Sequence, residues 1–80
     1  MIDLSVIIPV YNASRFITQA IDSVIAQKGV NIEIVVVNDG STDSTIEVLR
    51  KYERTIVTYT IEHSGASVAR NFGLKRAHGE

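Results

Sequence analysis

This chain predicts an α/β fold built on a parallel sheet, and three observations carry that prediction. Apolar, β-branched runs at Ser5–Val10, Ile32–Asn38 and Ile56–Ile61 alternate with stretches of helical period. Within the second run, Ile34-Val35-Val36-Val37 is apolar without a break, as befits a strand covered on both faces. That run stops abruptly at Asn38-Asp39-Gly40-Ser41-Thr42-Asp43, which sets an acidic turn at the carboxyl edge of the sheet.

The elements follow in order. Ser5–Val10 is the first strand, with Pro9 at its end because proline cannot donate to a central ladder. Tyr11-Asn12-Ala13-Ser14 is a turn. Phe16, Ile17, Ala20, Ile21, Val24 and Ile25 recur at helical spacing, and Gly29, just past Lys28, is a helix stop. Ile32–Asn38 is the second strand. Ser44 with Glu47 has the spacing of a capping box, opening a helix whose apolar face holds Ile46, Leu49 and Tyr52. Ile56–Ile61 is a third strand by its β-branched content. His63-Ser64-Gly65 is a loop, Ala66–Ala77 a third helix, and Gly79 its C′ signal. Phe72 and Leu74 are expected in the core, Tyr52 and Tyr59 as packing residues, and His63 and His78 as solvated loop residues. The order β-α-β-α-β-α implies parallel strands with right-handed crossovers, a Rossmann-like arrangement. Its strands all end on one edge, which collects Tyr11, Asn12, Asp39, Gly40 and Glu62 to Gly65. Three helix amino termini point at the same edge and favour anions such as phosphate.

Composition excludes several classes of function. Eighty residues make one small domain at most. Eight basic and nine acidic residues leave a net charge of −1, so nothing points to nucleic acid as a partner. There is no cysteine for a disulfide or a thiolate metal site, which fits a cytoplasmic, reducing location. Met1-Ile2-Asp3-Leu4 lacks the basic start of a signal peptide, and no apolar run is long enough to span a bilayer. Asn12-Ala13-Ser14 matches a glycosylation sequon by chance.

The turn after the first strand contains no glycine, so it is not a G-x-G-x-x-G dinucleotide turn, and the chain has no Gly-Lys-Ser or Gly-Lys-Thr phosphate loop. In their place stand an aromatic, Tyr11, and a carboxylate, Asp39. A ring face can stack on a base for roughly 1–3 kcal/mol, and a carboxylate can accept the ring N–H that uracil has and cytosine lacks. The edge therefore suits a uridine better than an adenosine. Each residue also has a plainer reading: Tyr11 as a lid on the core, Asp39 as turn chemistry, Arg70 as a surface ion-pair member, and Asp43 as a charge at a helix start.

Three blocks, Ser5-Val6-Ile7-Ile8-Pro9-Val10-Tyr11-Asn12, then Glu33 to Asp43, then Gly65-Ala66-Ser67-Val68-Ala69-Arg70-Asn71-Phe72-Gly73, resemble the amino-terminal half-domain of family-2 glycosyltransferases across nearly the whole chain. The resemblance implies a GT-A fold that binds a nucleotide-sugar donor, usually UDP-linked. It implies that Pro9, Val10 and Tyr11 line the base, that Asp39 holds the uracil ring, and that Arg70 lies near the base and diphosphate. The candidate donor-binding set is Pro9, Val10, Tyr11, Asn12, Asp39, Gly40, Ala66 and Arg70. Asn38 replaces a more usual aspartate beside Asp39, with little expected effect on the base. The family's Asp-x-Asp pair, which carries a divalent Mn or Mg on the diphosphate, and its catalytic base both lie further on than Glu80. The resemblance thus implies a truncated enzyme over residues 1–80, inactive alone, with no catalytic residue or metal ligand of its own. In the full-length enzyme it implies a glycan or lipid-linked acceptor, cell-envelope glycan synthesis and association with the inner face of the membrane. A non-catalytic module that self-associates through an exposed sheet edge is the alternative. A nucleotidyltransferase ranks lower, because its glycine-rich basic loop is missing.

Overall fold

The middle of the sheet is β2, Ile32–Asp39, and it organises the rest. The computed structural model describes residues 2–27, 29 and 31–77. In it β1 (Leu4–Val10) and β3 (Val57–Ile61) flank β2, and both pair with it in parallel, giving the order β1-β2-β3. Three helices alternate with them: α1 (Ile17–Ile25), α2 (Thr45–Arg50) and α3 (Ala66–Arg76). The predicted Gly79 stop and the solvated His78 lie outside the described residues.

The unbroken apolar run of β2 is explained by two cores. Successive residues of a strand face opposite sides. Ile34 and Val36 pack with Val10, Ile17, Ile21, Leu49 and Ile56 beneath α1 and α2. Val35 and Val37 pack with Ala69, flanked by Ile7, Tyr59 and Phe72, beneath α3. Both crossovers thus lie on one face and α3 on the other. Pro9 costs little because β1 is an edge strand among the described residues.

Strand ends and helix surfaces depart from the sequence expectation in places. Asp39 is the last residue of β2 rather than a loop residue. Phe16 precedes α1 and is 69% exposed, so it is not part of the apolar face. Leu74 is 57% exposed, contrary to the core assignment. The stripe of α3 turned to the sheet is Ala69 and Gly73, both buried, and Leu74 lies about a hundred degrees around the helix from Gly73. Phe72 does pack inward, edge-on to Tyr59 at 5.5 Å. Tyr52 packs against the α1/α2 core, and its hydroxyl donates to Asp22 Oδ1 at 2.9 Å. Ser44 makes no side-chain cap on α2; with ψ of 15° its backbone is not extended as a capping residue's is. Asp43 takes over, its Oδ1 accepting the Thr45 amide at 2.9 Å and also the Thr45 hydroxyl.

Candidate functional site

Strand alternation decides which side chains meet at the carboxyl edge. Asp39 shares the parity of Val35 and Val37, so its carboxylate points to the α3 side. The register pairs Pro9 with Val37 and Val10 with Asn38, which brings Tyr11 out of β1 level with Asp39. Asn38 points the other way. It is fully buried; its Oδ1 accepts the Ser41 amide at 3.1 Å, and its Nδ2 finds no partner among the described residues. An unmet buried donor of this kind costs about 1–3 kcal/mol.

Asp39 is 2% exposed and fully engaged. Its Oδ1 accepts the Ser64 amide at 2.7 Å, and its Oδ2 accepts the Gly65 amide at 2.9 Å. His63 Nδ1 lies 3.1 Å from Oδ2 and 3.1 Å from the Asp39 carbonyl oxygen. Burial alone pushes the Asp39 carboxyl up, but the two amides and His63 outweigh it and hold the group below its ordinary 3.8. The charge is thus stabilised by the loop that leads into α3.

The two other turns are braced to one another. Asn12 adopts φ +49°, a left-handed conformation that asparagine tolerates. Its Oδ1 accepts the Thr42 amide at 2.8 Å and the Asp43 amide at 3.3 Å, while its own amide donates to Ser41 Oγ at 3.0 Å. The Ala13 amide donates to Thr45 Oγ1 at 3.2 Å and the Ser14 amide to Asp43 Oδ2 at 3.5 Å. Thr45, with burial opposing and Ser14 assisting, holds the Asp43 carboxyl below its ordinary value. Asp43 therefore serves as a structural charge, as its position before a helix suggested.

Both depressed carboxyls predict acid sensitivity. The unfolded chain binds these protons more tightly than the folded one, so the stability they contribute is present above about pH 4 and drains away as pH falls below it. Denaturation midpoints at neutral pH, pH 5 and pH 3 should be level between the first two and lower at the third.

A hollow of about 230 Å³ opens at this edge, lined by Pro9, Val10, Tyr11, Asp39, His63, Gly65 and Ala66. It brings together five of the predicted residues: Pro9, Val10, Tyr11, Asp39 and Ala66. The other three lie elsewhere. Asn12 is committed to the brace. Gly40 sits under His63, where a Cβ would meet the His63 nitrogen at 2.7 Å, and its φ of +70° adds to the demand for glycine. Arg70 is exposed on α3, one turn beyond Ala66, and does not line the hollow. His63 is the exposed loop residue the sequence predicts, its side chain 55% exposed, and its ring also stacks on Tyr11, with centroids 4.1 Å apart and planes at 26°. A hollow of equal volume between α2 and β3, lined by Ile46, Leu49, Arg50, Glu53, Thr58 and Thr60, has neither an aromatic face nor a buried charge. Among the described residues no three His, Cys, Asp or Glu side chains converge as metal ligands. With Asp39 occupied by amides, the residues present do not fit a divalent metal. No helix among them is long and apolar enough to cross a membrane.

The edge pairs an aromatic face with a buried carboxylate at the carboxyl ends of parallel strands, where open α/β sheets bind ligands. Comparison with known proteins supplies the family: glycosyl transferase family 2 matches residues 5–80, and the chain belongs to that family. A glycosyltransferase of Rickettsia typhi is 46% identical over 77 residues, covering 96% of this chain and 24% of that protein. TarS of S. aureus, solved in complex with UDP, superposes with a TM-score of 0.90 at 35% identity, covering 99% of this chain and 25% of that one. A mannosyltransferase of Pyrobaculum calidifontis, solved with GDP-Man and Mn2+, gives 0.87 at 30% identity, covering 96% and 25%. The fold is accordingly that of the GT-A enzymes, and the chain spans about a quarter of the length of these proteins.

Proposed function

We propose that residues 1–80 form the amino-terminal, nucleotide-binding portion of a glycosyltransferase, and that the donor is a UDP-sugar. One observation carries the reading: Tyr11, just past β1, and Asp39, the last residue of β2, meet in one hollow at the carboxyl edge of a parallel sheet. The Tyr11 ring offers a stacking face, and Asp39 offers an acceptor for a ring N–H. The amino end of α3 opens on the same hollow and favours the diphosphate, with Arg70 adding positive charge one turn along. TarS binding UDP supports uracil as the base; the mannosyltransferase binding GDP-Man shows that a guanine nucleotide is the rival within this fold.

In the whole transferase an acceptor hydroxyl attacks the anomeric carbon, the bond from that carbon to the phosphate oxygen breaks, and UDP departs. The described residues hold the leaving nucleotide. They supply neither the base that takes the acceptor proton nor the ligands of the divalent metal proposed for the whole enzyme.

Tyr11→Ala is the direct test. Tyr11 is 46% exposed, so its removal leaves the fold standing. Loss of a base-stacking face lowers UDP affinity by roughly five- to a hundredfold. Calorimetric titration of the variant checks this; unchanged affinity would place the nucleotide elsewhere.

A further inference from the structure

We propose that His63 is a built-in occupant of the base position: its imidazole holds the places on Tyr11 and Asp39 that the donor's base takes, and it swings out to admit that base. The proposal rests on reading the hollow as a nucleoside site.

Three observations carry it. First, the imidazole lies on the Tyr11 ring with centroids 4.1 Å apart. That separation leaves no room for a second ring between them. Second, His63 Nδ1 faces only acceptors, the Asp39 carbonyl and Oδ2, each at 3.1 Å. Neither can donate, so Nδ1 carries the proton. His63 therefore presents Asp39 with a flat ring bearing an N–H, which is what uracil presents through its imide. A carboxylate oxygen has two lone pairs. On Oδ2 one takes the Gly65 amide and the other takes His63. A base that donates to Oδ2 must displace the imidazole, and one that donates to Oδ1, which holds the Ser64 amide alone, still meets the imidazole lying over Tyr11.

Third, the side chain can leave while the loop stays. Ser64 and Gly65 are tied by their amides to Asp39, and the His63 nitrogen is packed against Gly40. The His63 side chain, by contrast, is 55% exposed, so rotation carries it into solvent. Those anchors keep the Asp39 acceptor in place throughout the exchange.

An internal occupant reduces the affinity of every nucleotide by one common factor, because it must be expelled once whatever the base. A histidine that instead touches the bound base would strengthen binding and shift the preference between bases. Truncation therefore has opposite signs in the two cases. The experiment is calorimetric titration of UDP and CDP into the wild-type chain, His63→Ala and His63→Gln, each checked for an unchanged melting curve. It is paired with NMR of the His63 ring protons during the UDP titration.

We expect both variants to bind UDP roughly two- to tenfold more tightly, the range set by one aromatic pair. CDP should tighten by the same factor, and at UDP saturation the His63 ring protons should lose the upfield shift imposed by Tyr11. Affinity that is unchanged or weaker in His63→Ala, a changed UDP-to-CDP ratio, or ring protons that stay shifted at saturation would overturn the proposal while leaving the nucleoside site intact. UDP binding to none of the folded proteins would remove the nucleoside reading and this proposal together.

Discussion

Gly73→Ala should lower the stability of the chain, although alanine is the better helix former. A Cβ at Gly73 would lie 2.6 Å from Ile7 Cγ2 and 3.1 Å from Val37 Cγ2. Both are methyls on stiff, β-branched residues of the sheet, so neither can fold away cheaply. Overpacking of this kind costs about 1–3 kcal/mol, while the gain in helix propensity returns about 1 kcal/mol. The net expectation is a loss of up to about 2 kcal/mol, read from urea unfolding. It matters beyond stability, because α3 begins at the hollow, and a helix lifted from β1 and β2 carries Gly65 and Ala66 with it. Unchanged stability would mean that α3 does not approach the sheet so closely.

Asp39→Asn should have the largest effect on ligand binding. The Ser64 and Gly65 amides land on different oxygens of this carboxylate. Asparagine keeps one oxygen and turns an NH2 group on the other amide, so one buried N–H is left facing a donor. The variant loses the anchor of the loop that enters α3, the partner of His63 and the acceptor proposed for the base. UDP affinity should fall by roughly ten- to a hundredfold, the range for a hydrogen bond to a charged group. The melting temperature should fall with it, and the variant should lose its preference for UDP over CDP. A variant that melts normally and keeps that preference would show that Asp39 neither holds the loop nor reads the base.

The features legible in the sequence are those with a local cause. The β-branched runs located all three strands to within a residue or two, and the abrupt stop of the second placed Asp39 at the sheet edge. The structure extends β2 through Asp39, so Asp39 and Asn38 face opposite sides and the unusual asparagine sits away from the hollow. The features that were not legible depend on distant segments. His63 lies 24 residues from Asp39 and 52 from Tyr11 in the chain, and nothing in Glu62-His63-Ser64-Gly65 marks it as a stacking partner. Asn12 carries an ordinary turn signal, yet its side chain joins residues some thirty positions away through backbone amides that no composition rule marks. On α3 the apolar pattern favoured Leu74, whereas the contact with the sheet is made by Ala69 and Gly73, whose value lies in being small. The Ser44–Glu47 spacing suggested a cap, but the backbone turns one residue earlier and hands that role to Asp43.

The central claim is that a uridine nucleotide binds at the carboxyl edge, between Tyr11 and the start of α3. The most direct test is a ¹⁵N–¹H NMR titration of the chain with UDP, with GDP in parallel. Saturable shifts of the Tyr11, Gly40, Ser64, Gly65 and Ala66 amides are expected with UDP, and weaker ones with GDP. A dispersed spectrum in which those amides stay still, or in which the shifts fall on Leu49, Thr58 and Thr60 beside the other hollow, would contradict it.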